Sequence, residues 1–579
     1  MGGGAGLGLL SLALALALAA CCVTGHGVHP LSRIAVHRSR VALDASAAVR
    51  ASPKLLGSQG EDTAWVTVDF HVPHASDDDW IGVFSPSNSN ASTCPGSEAP
   101  SICSAPIKYQ LANQSSGYAK SGKGTLRFQL IKQRQDFSFG LFTGGLSNPT
   151  FVAVSNKITF ANPKAPVYPR LALGKTWNEM TVTWTSGYDT SEAHPFVEWG
   201  MKGNGSVRAP ADTVTFGRER LCGEPASTVG WRDPGFIHTA FLKNLWPGKE
   251  YYYKIGNMLH DGKVIWGQPK SFTGPPYPGQ KSLQRVVIFG DMGKDERDGS
   301  NEYNNFQPAS LNTTDALIRD LDNTDIVFHI GDISYANGYL SQWDQFTQQV
   351  EPITSRVPYM LANGNHERDY PNSGSFYTGM DSGGECGVLV ETMYYAPTEN
   401  RAKYWYSVDY GMFRFCVADS EQDWREGTEQ YKFIEHCLAT VDRAKQPWLV
   451  FIAHRVLGYS SGFYYFPTFG EPMARQNLEK LWRRYRVDVA FYGHYHQYER
   501  TCPVYEEKCV RDGTVHVVVG GGGSNLSNFT TEVPTWSVYR EMEYGFGKLT
   551  AMDDKLLKFE YRRSNDGKVY DSFTVHRDK

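Results

Sequence analysis

The sequence predicts two all-β sandwich modules followed by an α/β domain, and three observations carry that prediction. Residues 64–160 alternate apolar and polar side chains, as in Trp65-Val66-Thr67-Val68-Asp69-Phe70-His71-Val72, between turns rich in Ser, Asn and Pro; a period of two marks a half-buried strand. Residues 169–273 repeat the pattern, with Met180-Thr181-Val182-Thr183-Trp184 as one strand and Pro247-Gly248 turning into another. Past Gly274-Pro275-Pro276-Tyr277-Pro278-Gly279, a linker by composition, continuous apolar runs alternate with helical stretches at 429–443 and 475–485 through residues 280–579. A chain of 579 residues is too long for one ordinary domain.

Ahead of these modules, Gly2 to Ala20 is an apolar Leu/Ala-rich run followed by small residues. It is read as a secretory signal spanning residues 1–25, cut between Ala19 and Gly27, and not as a stable membrane anchor. Asn90, Asn113, Asn204, Asn312, Asn525 and Asn528 begin glycosylation sequons, which suits a secreted chain, extracellular, in the cell wall or vacuolar. Cys21 and Cys22 leave with the signal; Cys94/Cys103 and Cys502/Cys509 are spaced to close small loops. Cys222, Cys386, Cys416 and Cys437 stay unassigned, with an intermolecular bridge and a homodimer left open. With a net charge of −4, nothing points to nucleic acid as a polyanionic partner, and none is expected. Asp77-Asp78-Asp79 is read as a solvated loop in preference to a Ca²⁺ site. Val515 to Gly523 is expected as a buried strand running into glycines, and Leu556 to Val575 as a hairpin across Asn565-Asp566-Gly567.

Within the α/β part, five apolar strands each end in a polar residue, four of them after a glycine. Phe328-His329-Ile330-Gly331-Asp332 continues to Tyr335; Val286-Val287-Ile288-Phe289-Gly290 delivers Asp291; Met360-Leu361-Ala362-Asn363-Gly364 delivers Asn365 and His366. Val450-Phe451-Ile452-Ala453 ends in His454, and Val489-Ala490-Phe491-Tyr492-Gly493 in His494 and His496. A rigid strand end followed by a turn is a good mount for polar side chains. Any one such segment is as readily a turn or a satisfied core histidine, but the ordered set supplies more donors than one ion needs. It suits two ions sharing a carboxylate, with Asp332 as the bridge. His494 and His496, two apart in an extended segment, can serve one ion each. Asp291 and Tyr335 are hard and anionic, favouring a trivalent ion; Asn365, His454 and His494 are neutral, favouring a divalent one.

These blocks resemble those of the plant purple acid phosphatases, binuclear metallophosphoesterases whose motifs read GDxG, GDxxY, GNHE, VxxH and GHxH. All seven ligand positions match, with Phe451 in place of the usual valine. The resemblance implies Fe(III) on Asp291, Tyr335 and His496, a divalent ion on Asn365, His454 and His494 (Zn as first choice, Mn or Fe(II) as alternatives), and Asp332 bridging. It implies an acid phosphatase acting on phosphate esters or nucleotides, with a fibronectin-type module at 169–273 ahead of the catalytic domain. The longer members it resembles include nucleotide pyrophosphatases/phosphodiesterases.

Charge supports that substrate class, because the ions outweigh the anionic ligands and attract a phosphate ester. The expected reaction is in-line attack of metal-bound hydroxide on phosphorus without a phosphoenzyme. His366 is placed to bond the phosphate or the leaving oxygen, beside Asn365 and His494. Where the family pattern expects two histidines after His454, Phe463 and Tyr464 stand instead, so anhydrides and activated esters are expected to be favoured over alkyl monoesters. The ranked alternative is a secreted binding or adhesion protein that keeps the metal site without turnover.

Overall fold

The computed structural model describes residues 39–87, 101–102, 104–301, 307–462 and 473–577. In the first module a six-stranded sheet, ordered Ser101–Ile102, Ser39–Val41, Thr150–Val154, Ser138–Thr143, Trp80–Phe84 and Lys108–Leu111, packs on a three-stranded sheet of Ala48–Ser52, Thr63–His71 and Lys123–Ile131. The inward positions of Thr63–His71, Val66 and Val68, meet Phe128, Phe139 and Leu141 in the core, all of them fully buried. The module therefore starts well before residue 64: Ser39–Val41 and Ala48–Ser52 are integral strands, and their short, charged sequences hide the alternation. Asp79 is not solvated either; its buried carboxylate accepts the Tyr118 hydroxyl at 2.6 Å and the Ser76 N–H at 2.8 Å.

In the second module Val207–Val214 pairs with both Phe236–Leu242 and Ala193–Met201 and so joins two halves of one eight-stranded sheet, closed over Met180, Val182, Trp184 and Ile237. In the third part, Gln284–Phe289, Ile326–Ile330 and Tyr359–Ala362 run parallel and continue antiparallel through Gly545–Ala551, Leu556–Arg563 and Val569–His576. A facing sheet runs parallel from Phe413–Val417 through Trp448–Ala453, Val489–Tyr492 and Thr514–Val519. Helices Glu429–Ala439 and Met473–Tyr485 cover its outer side; the first starts at Thr428, whose side chain accepts the Tyr431 N–H, and it ends four residues short of the expected Arg443. No helix among the described residues is long and apolar enough to cross a membrane.

Cys502–Cys509 closes the small loop its spacing implied. The four unassigned cysteines pair within the chain, as Cys222–Cys386 and Cys416–Cys437, which removes them from any intermolecular bridge. Cys94 and Cys103 lie outside the described residues. The parts are also joined by charge. Lys108, buried in the first module, reaches Glu296 and Asp298 of the third at 2.7 Å each, and Arg134 grips Asp344 through two 2.8 Å bonds.

Candidate metal centre

The five strand ends arrive at one place, at the carboxyl edges of the two parallel sheets where open α/β sheets leave a crevice. To aim inward from a strand end the chain must turn sharply, and four of the polar residues do so in the left-handed region: Asp291 at φ 62°, Asp332 at 49°, Tyr335 at 51° and His494 at 68°. Non-glycine residues hold such angles only where their surroundings fix them. The glycines before them answer to crowding. A Cβ on Gly364 would sit 2.2 Å from Asp332 Oδ1, and one on Gly331 would sit 2.4 Å from His454 Nδ1, so each makes room for another strand's donor.

All seven sequence-predicted ligands converge, and they sort into two groups sharing Asp332. Asp332, His454 and His494 can present donor atoms all within 4.8 Å of one another, and so can Asp291, Asp332 and His496. Asn365 completes the first group, its Oδ1 lying 3.0 Å from both His454 Nε2 and His494 Nδ1. Tyr335 completes the second, its hydroxyl lying 2.9 Å from His496 Nε2, 3.4 Å from Asp332 Oδ2 and 3.5 Å from Asp291 Oδ1. Spacings near 3 Å between donors are those of atoms that could surround one ion.

The histidines face the right way for that task. His454 donates from Nδ1 to the Ile330 carbonyl at 2.8 Å and His496 from Nδ1 to the Asn525 carbonyl at 2.7 Å, leaving both Nε2 lone pairs turned inward. His366 donates from Nδ1 to Asn337 Oδ1 at 2.7 Å, which points its Nε2 at Asp332, 3.9 Å away.

The electrostatics fit a highly charged cation. Burial, then Asp332 and Asp291, push the Tyr335 phenol well above its ordinary range, so it ionises there only beside a strong Lewis acid. Burial raises Asp291 as well. For Asp332 burial acts in the same sense but is outweighed by His454 and His366, which hold it well below the usual carboxylate range. Burial opposes protonation of His454, yet Asp332 and Asp291 raise it to about 10, a proton standing where a cation would bind. The donor set fits two ions, hard anionic oxygens on one side and neutral donors on the other.

Three partners escaped the sequence reading. Glu367, fully buried and raised to about 8 by burial and then by Asp332, accepts the N–H groups of Asp332, Ile333 and Gly364 at 2.8–3.0 Å and so clamps two ligand turns together. Arg455, next to His454, lies over the Tyr377 ring, binds Glu421 and Asp369 at 2.7–3.0 Å and places a guanidinium nitrogen 3.3 Å from His494 Nε2. Asp381 accepts the Asn365 amide N–H at 2.9 Å. Only Glu367 carried a signal, as the last letter of the third block. Phe463 and Tyr464 lie outside the described residues.

Family models cover nearly the whole described chain. An Fn3-like domain from purple acid phosphatase matches residues 49–162, the purple acid phosphatase N-terminal domain 166–274, a calcineurin-like phosphoesterase 284–498 and an iron/zinc purple acid phosphatase-like C-terminal model 513–572. The Fn3-like match thus falls on the first module, whereas the fibronectin label had been expected on the second. The chain is 62% identical to "Probable inactive purple acid phosphatase 27" of Arabidopsis thaliana over 96% of its own length and 93% of that protein. It is 65% identical to a "Nucleotide pyrophosphatase/phosphodiesterase" of Hordeum vulgare over 55% of its own length and 90% of that protein. Among solved structures, purple acid phosphatase PPD1 from yellow lupin (Lupinus luteus) seeds superposes with a TM-score of 0.90 at 61% identity, covering 92% of this chain and 97% of that one.

Proposed function

Because the chain belongs to the purple acid phosphatase family of metallophosphoesterases, we propose that it is a metal-dependent acid phosphatase hydrolysing phosphate esters or anhydrides at a binuclear Fe(III)–M(II) centre. The observation that carries this reading is the convergence of seven donors into two groups with one shared carboxylate, Asp332. Asp291, Tyr335 and His496 would hold the trivalent ion, and Asn365, His454 and His494 the divalent one, Zn by first choice. When bound, the pair supplies Lewis acidity toward a phosphoryl oxygen and toward the attacking water. His366, fixed by Asn337, offers Nε2 to a phosphoryl or leaving-group oxygen. Glu367 keeps the turns bearing Asp332 and Asn365 from drifting apart, so the donors are set before substrate arrives.

A second reading, cleavage of nucleotide pyrophosphate or phosphodiester bonds, is favoured by the identity to the barley protein of that name and by the loss of the histidine pair at Phe463 and Tyr464. Secretion is supported by three disulfides within the described residues, which persist in oxidising compartments. Turnover of protein loaded with iron and zinc, compared with metal-stripped protein across alkyl and aryl monoesters, diesters and nucleoside triphosphates, tests both readings. Metal-dependent hydrolysis is expected, strongest on anhydrides and activated esters. Two bound ions with no hydrolysis of any of these would leave a binding protein, in keeping with the "inactive" in the names of the Arabidopsis relatives.

A further inference from the structure

Asn365 is a ligand with an ambiguity the other six lack. Its oxygen must face the ion, but a half-turn of the amide would present an NH2 group, which has no lone pair to give and repels a cation. Something outside the ligand set has to choose. The two histidines beside it would not fix the choice once an ion is bound, because His454 Nε2 and His494 Nδ1, the atoms 3.0 Å from Asn365 Oδ1, are the ones that would then turn to the metal.

The outer edge of the amide meets Asp381. Its Oδ2 accepts the Asn365 Nδ2–H at 2.9 Å, and an ionised carboxylate accepts but does not donate, so the flipped amide would set oxygen against oxygen. Asp381 is itself held in place. Residues 369–386 form a closed loop in which the Ser382 N–H and hydroxyl both donate to the Asp369 carbonyl at 3.1 and 2.9 Å, and the Gly383 N–H donates to the Met380 carbonyl at 3.0 Å. Gly379 lets the loop pass close, since a Cβ there would lie 3.1 Å from Asp381 Oδ2 and 3.4 Å from Asp369 Oδ2. The end of the loop is fastened to the second β module through Cys222–Cys386.

We propose that Asp381 is a positioning residue of the divalent site: it locks the Asn365 amide with its oxygen inward and, by drawing on the N–H, makes that oxygen a stronger donor. The proposal rests on the binuclear reading of the site. It assigns a task to the 369–386 loop and, through the disulfide, to the second β module, neither of which supplies a ligand.

The test is a calorimetric titration of iron-loaded full-length protein with Zn²⁺, read beside the visible absorption band of the iron site. Asp381→Ala is expected to weaken Zn²⁺ binding by about 10–100-fold, the usual cost of losing an outer partner of a metal ligand, with the visible band unmoved. Asp381→Asn keeps the shape but adds an NH2 that can donate to a flipped amide and removes the charge that draws on the N–H, and is expected to lose about 3–10-fold, less than the alanine. Zn²⁺ affinity unchanged in Asp381→Ala overturns the proposal, as does an Asp381→Asn variant that binds Zn²⁺ as tightly as the parent. If the alanine variant does not fold, the asparagine variant still decides, because a parental affinity in it shows that no acceptor-only group is needed at Asn365. A parent protein that takes up iron without colour and binds no Zn²⁺ defeats the binuclear reading itself, a result distinct from either.

Discussion

In the half of the site formed by Asp291, Tyr335 and His496, the histidine is steadied by uncharged groups: the Asn525 carbonyl holds its ring and the Ser527 hydroxyl accepts its backbone N–H at 3.2 Å. In the half formed by Asn365, His454 and His494, two of three ligands are backed by charged side chains, Asp381 and Arg455. A neutral amide gains donor strength and fixed orientation from an anion at its N–H, which is the place of Asp381, whereas burial and then the cationic Arg455 lower the basicity of His494, and Arg455 is itself held by Glu421 and Asp369. The two halves are also braced from different modules. The loop after Asp291 is pinned by the first, through Lys108 to Glu296 and Asp298, Gln110 to Ser300 and a two-way backbone pairing of Tyr109 with Asn301. The loop after Asn365 is tied to the second by Cys222–Cys386. Neither β module contributes a ligand, yet each supports one half, so an isolated 280–579 fragment is expected to bind metal poorly.

The largest effect should come from the residue common to both halves. Asp332→Asn keeps the shape but removes the shared charge, and is expected to lose both ions and all metal-dependent turnover while circular dichroism stays native; retention of either ion would show that the halves are independent. Tyr335→Phe should separate them. The charge-transfer colour of the iron-loaded protein is expected to vanish while Zn²⁺ still binds, and a surviving visible band would take the phenol out of the coordination sphere.

Lys108→Met tests whether the first module serves the Asp291 half. It leaves the buried Asp298 carboxylate without its cation and Glu296 with Lys294 alone, a loss expected to cost about 3–5 kcal/mol in denaturant unfolding. Iron retention against a chelator should fall, with Zn²⁺ affinity unaffected; equal losses in both would mean that the strut supports the whole domain.

The smallest effect per residue is on stability and lies outside both halves. Burial pushes His238, His329 and His516 down to about 3. A base whose pKa is lowered on folding leaves the unfolded chain binding more protons between pH 6.5 and 3, so stability is full above 6.5 and falls as the pH drops through that window. At pH 5 each should forfeit about 2 kcal/mol, read as a lower urea midpoint than at pH 7. For His238, sealed in the second module between Ser186 and Thr213 at 2.8 Å each, His238→Gln should flatten part of that slope.

What the sequence determined by itself was local. Each candidate ligand follows a hydrophobic strand, four of them across a glycine, and such a strand end cannot be written in residues without showing, which is why the seven donors that converge, the hairpin expected over 556–575 and the covering helices were legible. The tertiary structure decided what depends on partners distant in the chain. The pairing of Cys222 with Cys386 spans 164 residues and that of Lys108 with Glu296 spans 188, and no spacing rule reaches so far. The strands at 39–41 and 48–52 were hidden because short charged segments become strands only when a neighbour's edge is offered. Asp381 and Arg455 read as ordinary loop charges until folding sets them against Asn365 and His494. A metal ligand is announced by the turn that carries it, but the group that aims the ligand is chosen by proximity, and proximity between distant segments exists only after the chain has folded.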